Sequence, residues 1–233
     1  MPAVSNFQAV RFRSDLNSDS VPVTAAANAE LWPLIHEERD RVGDLLETLS
    51  DAEWDAQSLC RDWRVRDVVS HCIQTHMVTQ LSLVANWIGS GMSLKARNAS
   101  GVAKRASMSN ADLLREYRST AHRTSYLPGQ LTYSLVEAVI HGEDIARPLG
   151  KRLDPSPKSL VVVAEAARST DPILGGKRRS EGLTLRATDV EWSAGSGPEV
   201  SGPLASIIIA ITGRPTGLDD LSGDGLVMLR SRV

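Results

Sequence analysis

Up to Gly150 the apolar residues of this chain recur at helical intervals; beyond it the pattern is shorter and mixed. From about Ala26 to Leu49, Leu31, Leu34, Ile35, Val42, Leu45, Leu46 and Leu49 predict a first helix. Pro33 suits such a helix only near its start, because proline has no N–H to give and its ring meets the preceding turn. Ser50-Asp51-Ala52-Glu53-Trp54 breaks the period. A second helix is expected from Val65 to about Ile88, with Val65, Val68, Val69, Cys72, Val78, Leu81, Val84 and Ile88 inward. Gly89 to Ser107 is small and polar and reads as a loop. Ser109-Asn110-Ala111-Asp112 supplies the cap of a third helix carrying Leu113, Leu114 and Tyr117. Pro128-Gly129 then turns the chain into a fourth helix, which runs to about Leu149.

The remainder divides differently. Asp154-Pro155-Ser156-Pro157 has the composition of a linker, and Leu160 to Ala167 predicts a helix. Leu183-Thr-Leu-Arg-Ala-Thr188 alternates like a strand, with Asp189 to Trp192 as its hairpin partner and Gly195 to Pro198 as a turn. In Leu204 to Ile211 the three consecutive isoleucines favour a strand by propensity, yet Pro203 and Gly213 are the punctuation of a helix, and a helix is expected. Leu226 to Leu229 reads as a final strand. Residues 1–24 are polar without period and form an N-terminal extension, loosely ordered or docked as an arm. The fold class is therefore α+β: a four-helix bundle over residues 25–150, followed by a small α+β domain over 151–233.

Composition narrows the function classes. The chain has 233 residues, 42% hydrophobic and 23% charged, and a formal net charge of -2. That near-balance offers no footprint for nucleic acid or an anionic membrane. No stretch approaches the roughly 18 apolar residues of a spanning helix, and the N-terminus lacks a basic-then-apolar leader. With two cysteines, Cys60 and Cys72, there is no disulfide framework, and the cytoplasm is the expected compartment.

The chemistry concentrates in the fourth helix. Glu137 and His141 stand one turn apart on the same face, Asp144 extends the stripe, and Val136, Ala138, Val139 and Ile140 lie between them. A helix apolar all round except for one such stripe is a buried helix, and a buried carboxylate needs a partner. A Glu–His hydrogen bond would satisfy the pair without metal; a third ligand would make a metal site. Of the five histidines, His36 and His122 sit among charged neighbours and read as surface, and His76 as solvent-facing or behind the ligands. His71 lies on an apolar face between Val68-Val69 and Cys72, with Asp67 one turn away as an orienting carboxylate. Two imidazoles and a carboxylate with one open position make a catalytic type of Zn²⁺ site. Cys72 reads as core, and Cys60 as a loop thiol packed near the site without being a ligand.

Trp63-Arg-Val-Arg-Asp-Val-Val-Ser-His71 resembles the segment W-T-V-R-D-V-V-A-H of the mycothiol-dependent maleylpyruvate isomerase family, which belongs to the DinB-like metal-binding bundles. Glu137-Ala-Val-Ile-His-Gly-Glu-Asp-Ile-Ala-Arg147 is similar to its second metal segment, E-x-x-x-H-G-x-D-I/L-A-R. Gly202-Pro203 followed by Thr212-Gly213-Arg214 resembles its smaller α+β domain. The likeness spans nearly everything past about residue 28. Arg64 departs from it, standing where the family often has Thr or Ser as helix N-cap; Asp67 is then the surviving half of a capping box.

The resemblance implies a Zn²⁺ held by His71, Glu137 and His141, with water or a cofactor thiol in the fourth position. It also implies an enzyme that uses mycothiol in isomerase or S-transferase chemistry on a small electrophile such as maleylpyruvate. Arg214 is implied as the catalytic arginine that docks a substrate carboxylate; Arg147 is expected to cap carbonyls or to pair with Asp144. Two other functions remain open: a zinc hydrolase with water as nucleophile, and a metal-stabilised binding protein without activity. The expected partners are a small-molecule substrate and the thiol, with no nucleic acid or membrane, in a monomer or homodimer.

Overall fold

The computed structural model describes residues 25–78, 94–126, 131–171 and 174–233, with side chains from Glu30 in the helix that begins at Ala25 and from Ala99 in the helix that begins at Leu94. Its central unit is a bundle of α1 (Ala25–Glu47), α3 (Val65–His76), α5 (Asn110–Ala121) and α6 (Leu131–Ala146). Helices α1 and α3 each pack against both α5 and α6. Val42, Leu46, Trp54, Val68, Val69, Ile73, Leu113, Tyr117 and Ile145 fill one end of the interior.

The starts of these helices follow their sequences. Ser50 and Glu53 form a reciprocal capping box at the short α2 (Asp51–Trp54). At α3 the Asp67 carboxylate accepts the backbone N–H of Arg64 at 3.0 Å, the half box expected there. At α5 the Ser109 hydroxyl accepts the N–H of Asp112 at 3.1 Å.

Three expectations for this half change. Pro33 lies inside α1, not near its start. Helix α3 ends at His76 with Met77 as its cap, so it does not run to Ile88; Leu81, Val84 and Ile88 lie outside the described residues. The expected loop 89–107 contains α4 (Leu94–Lys104). The Gln74 side chain of α3 lies over Gly101 of α4, where a Cβ would fall 1.7 Å from Oε1. Just beyond, Arg105 donates twice to Glu116 of α5, at 3.0 and 2.7 Å. Tertiary contact outweighs a composition that reads locally as loop.

Helix α6 closes in a 3-10 turn, Arg147–Leu149, and Gly150 at φ 66° reverses the chain. The stretch that follows is fastened to the bundle. Leu153 is buried against Gly142 and Val42, and the Ser156 N–H donates to the buried Glu38 at 2.9 Å. Next come α7 (Pro157–Ser169), α8 (Gly176–Ser180), β1 (Thr184–Ala187), β2 (Ser193–Gly195), β3 (Glu199–Gly202), α9 (Leu204–Ile211) and α10 (Leu226–Arg230). The sheet has the order β2-β1-β3, with β1 antiparallel to β2 and parallel to β3.

The helix over Leu204–Ile211 is as expected, with Gly213 at φ 92° just past its end. The strands differ in detail. Asp189 to Trp192 form the hairpin turn, and the antiparallel partner of β1 is Ser193–Gly195. Asp189 instead accepts the Leu204 N–H, and Trp192 donates to Glu165 on α7. Strand β3, which has a single inward aliphatic side chain in Val200, gave no periodic signal. Leu226 to Leu229 is helical, not a strand: the Leu229 N–H returns to the Gly225 carbonyl at 3.0 Å. Four apolar residues in a row carry no period by which to choose.

One apolar cluster joins Leu34 and Ile35 of α1 and Leu135 and Val139 of α6 to Leu160, Leu185, Val200, Ile207 and Ile208. This shared core seats α9 and the turn after it beside the C-terminal half of α6. No helix among the described residues is long and apolar enough to cross a membrane.

Candidate metal centre

Helix α6 carries Glu137, His141 and Asp144 at intervals of four and three residues, as the sequence spacing requires. Helix α3, packed alongside, brings in His71. His71 Nε2 lies 3.1 Å and His141 Nε2 3.4 Å from the same atom, Glu137 Oε2. One ligand atom from each of the three residues lies within 4.8 Å of the other two. The imidazole rings meet edge to face, their centroids 5.0 Å apart, and Trp63 covers His71 at the same distance. His71 is buried, whereas the Glu137 side chain is 35% exposed, so the trio can be reached from solvent at the carboxylate.

Behind the trio stands a second set of contacts. His141 Nδ1 is 2.9 Å from Oδ2 of Asp144, which is fully buried. Arg214, from the turn after α9, donates through Nε to Oδ1 at 2.9 Å and through Nη2 to Oδ2 at 2.8 Å. The Cys60 thiol donates to the same Oδ2 at 3.2 Å and lies 3.9 Å from His141 Nδ1.

The electrostatics follow from these contacts. Burial alone would raise the Glu137 carboxyl, but the His141 charge and bonds from both imidazoles hold it well below the usual carboxylate range. Burial works against the His141 imidazolium, yet Glu137 and the bond to Asp144 raise it well above an ordinary histidine. Asp144 is likewise held below the usual range, against its burial, by His141 and Arg214.

The donor set fits a zinc ion: two imidazole nitrogens and a carboxylate oxygen converge, and one imidazole donates its other N–H to a buried carboxylate. Among the described residues the Nδ1 of His71 is buried without a hydrogen-bond partner, so hydrogen bonding holds this ring only through Nε2.

Several single-residue expectations are corrected. Asp67 does not orient His71; it is spent on the backbone and side chain of Arg64 at the start of α3. His76 is not solvent-facing but buried, bonded to Thr120 Oγ1 at 3.1 Å and edge-on to Tyr117. His122 is exposed as expected, but His36 is half-buried and stacks on it with centroids 4.7 Å apart. Arg147 does not pair with Asp144; it holds Glu143, Asp220 and Ser206. Cys72 is core, its thiol pushed up to about 12 by burial. Cys60 packs against the site as expected. The bond from Arg214 to Asp144 spans 70 residues, and no feature of the sequence pairs them.

Residues 35–126 match the family model of the mycothiol maleylpyruvate isomerase N-terminal domain. That segment contains His71, whereas Glu137, His141 and Arg214 lie beyond it. Two similar solved structures are the crystal structure of the mycothiol-dependent maleylpyruvate isomerase and that of a histidine-to-alanine mutant of it. Their TM-scores are 0.59 and 0.60, each at 18% identity, covering 84% of this chain and 92% of the other. At that identity the likeness is one of fold. No curated protein matches the chain in sequence. The chain thus carries a match to the mycothiol maleylpyruvate isomerase N-terminal domain model over residues 35–126, and it has the α+β fold of those isomerases.

Proposed function

We propose that this protein is an enzyme that holds Zn²⁺ on His71, Glu137 and His141 and uses a low-molecular-weight thiol, mycothiol, on a small electrophile. The class of reaction is isomerisation or S-transfer, with maleylpyruvate as the reference substrate. The observation that carries the reading is the convergence of both Nε2 atoms on Glu137 Oε2, from two helices of a bundle whose fold is shared with a mycothiol-dependent isomerase. The bound groups would supply Lewis acidity together with a thiolate able to add reversibly to an activated double bond, which permits rotation before elimination.

The protein's own residues have distinct tasks in this reading. His71 and His141 present Nε2, and Glu137 adds the negative charge that favours a dication. His141 gives up its extra proton when a metal binds, so loading releases protons and weakens as pH falls. Trp63 covers His71 and limits water on that side. Three bonds, two to Asp144 and one to the Thr212 carbonyl, use three of the five Arg214 N–H groups. The other two have no partner among the described residues and in this reading dock a substrate carboxylate.

The test is metal content together with thiol dependence. Glu137→Ala is expected to lose zinc, and turnover of maleylpyruvate by the wild type is expected only with mycothiol added. Undiminished zinc in Glu137→Ala would overturn the ligand set. Substantial turnover without thiol would replace the reading by a hydrolase.

A further inference from the structure

We propose that Arg214, reaching in from beyond α9, is a positioning residue of the metal centre. By clamping Asp144 it fixes the ring of His141 so that Nδ1 carries hydrogen and Nε2 is the ligand atom. The inference rests on the ligand set proposed above and adds to it a contribution from the C-terminal unit.

The argument begins with Asp144. Its side chain is fully buried, and four donor atoms surround it: Arg214 Nε and Nη2, His141 Nδ1 and Cys60 Sγ. A carboxylate only accepts, so every partner must donate. The hydrogen of a neutral His141 ring is then on Nδ1, and the lone pair is on Nε2, which faces Glu137 at 3.4 Å. What keeps the carboxylate in the required plane is the guanidinium, which spans both oxygens as a two-pronged fork. His141 and Cys60 touch only Oδ2 and leave the carboxylate free to swing about its bond.

Arg214 is in turn held by rigid backbone. Its N–H donates to the Ile209 carbonyl at 2.9 Å, and its own carbonyl accepts from Gly217 at 3.1 Å. Gly213, at φ 92°, allows the chain to leave α9 in this direction, and Ile207 to Ile211 of that helix are wholly buried. The clamp is thus anchored in the shared core, and α9 is coupled through Asp144 to the ligand on α6.

The test measures zinc affinity of the full chain by competition with a chromogenic chelator, for wild type, Arg214→Met and Arg214→Lys. Loss of the group bonded directly to a metal ligand weakens affinity about 10- to 100-fold, so Arg214→Met, which leaves Asp144 in place but unclamped, is expected at the lower end, about 10-fold. Lysine keeps the charge but not the fork, so Arg214→Lys should fall between the two. In ¹⁵N-histidine spectra of the zinc-loaded wild type, the His141 hydrogen should be on Nδ1. Wild-type affinity in Arg214→Met, with only a lower melting temperature, would overturn the inference and make the bond from Arg214 to Asp144 a structural staple. If Arg214→Met fails to fold, undiminished affinity in Arg214→Lys would overturn it. A wild type that binds no zinc would overturn the ligand set and this inference together. Wild-type binding that the arginine variants leave intact would overturn this one alone.

Discussion

Helix α3 buries two histidines, and they have opposite surroundings. His76 is 3% exposed, bonds to Thr120 and lies edge-on to Tyr117. The Thr120 hydroxyl gives its own hydrogen to the backbone carbonyls of Glu116 and Tyr117, so it accepts from His76. Burial and the charge of Arg39 keep that imidazole neutral, its pKa well below the ordinary value. His71 is 5% exposed, yet its Nδ1 has no partner among the described residues, and its Nε2 shares one carboxylate oxygen with a second histidine. Depth is the same, so depth does not mark the site. A candidate metal centre is marked by ligand atoms from different elements converging on one point.

That contrast can be broken by experiment, and the largest effect should come from His71. His71→Ala is expected to weaken zinc binding by at least about 100-fold, more than loss of a supporting partner costs. The far-ultraviolet dichroism should stay native. A variant that retained wild-type affinity would place His71 with His76 as a core residue.

A smaller effect is expected from Thr120→Val, which preserves shape but leaves the His76 N–H buried and unpaired. Urea denaturation of the metal-free protein should show a loss of about 1–3 kcal/mol, with zinc affinity unchanged in the folded protein. A change in affinity instead would make His76 part of the centre.

The third test sharpens the charge state. The folded pKa of His76 is depressed, so below about pH 6.5 the unfolded chain takes up a proton there that the folded chain refuses. Stability should therefore fall with pH from that point, by up to about 1.4 kcal/mol per unit from this residue, and level off below its folded pKa. The comparison is between wild type and His76→Gln, both metal-free. An identical slope in the two would mean that His76 is protonated in the fold.

How far the sequence could be read depended on the range of the interactions concerned. The register of Glu137, His141 and Asp144 is a property of one helix, so their shared face could be read directly. The caps at Arg64–Asp67 and Ser109–Asp112 were legible for the same reason: they are contacts within one turn. Asp67 shows the limit of such reading. The same spacing suits a cap or an orienter of His71, and the N–H and guanidinium of Arg64 take it. Helix α4 escaped because Gly101 and the small residues around it look like loop until α3 is laid beside them. Helix α10 escaped because a short unbroken apolar run has no period.

By itself, then, the sequence determined the helical bundle, the carboxylate–imidazole stripe of α6 and, through the resemblance, His71 as its third member. Only the tertiary structure decided what each donor does. It brought His71 to Glu137 across 66 residues, turned His76 inward to Thr120, and set Arg214 on Asp144. The physical reason is that backbone geometry alone fixes which residues share a helix face, whereas partners on different elements are chosen by how whole elements pack. Here that packing follows an apolar core common to the bundle and the C-terminal elements.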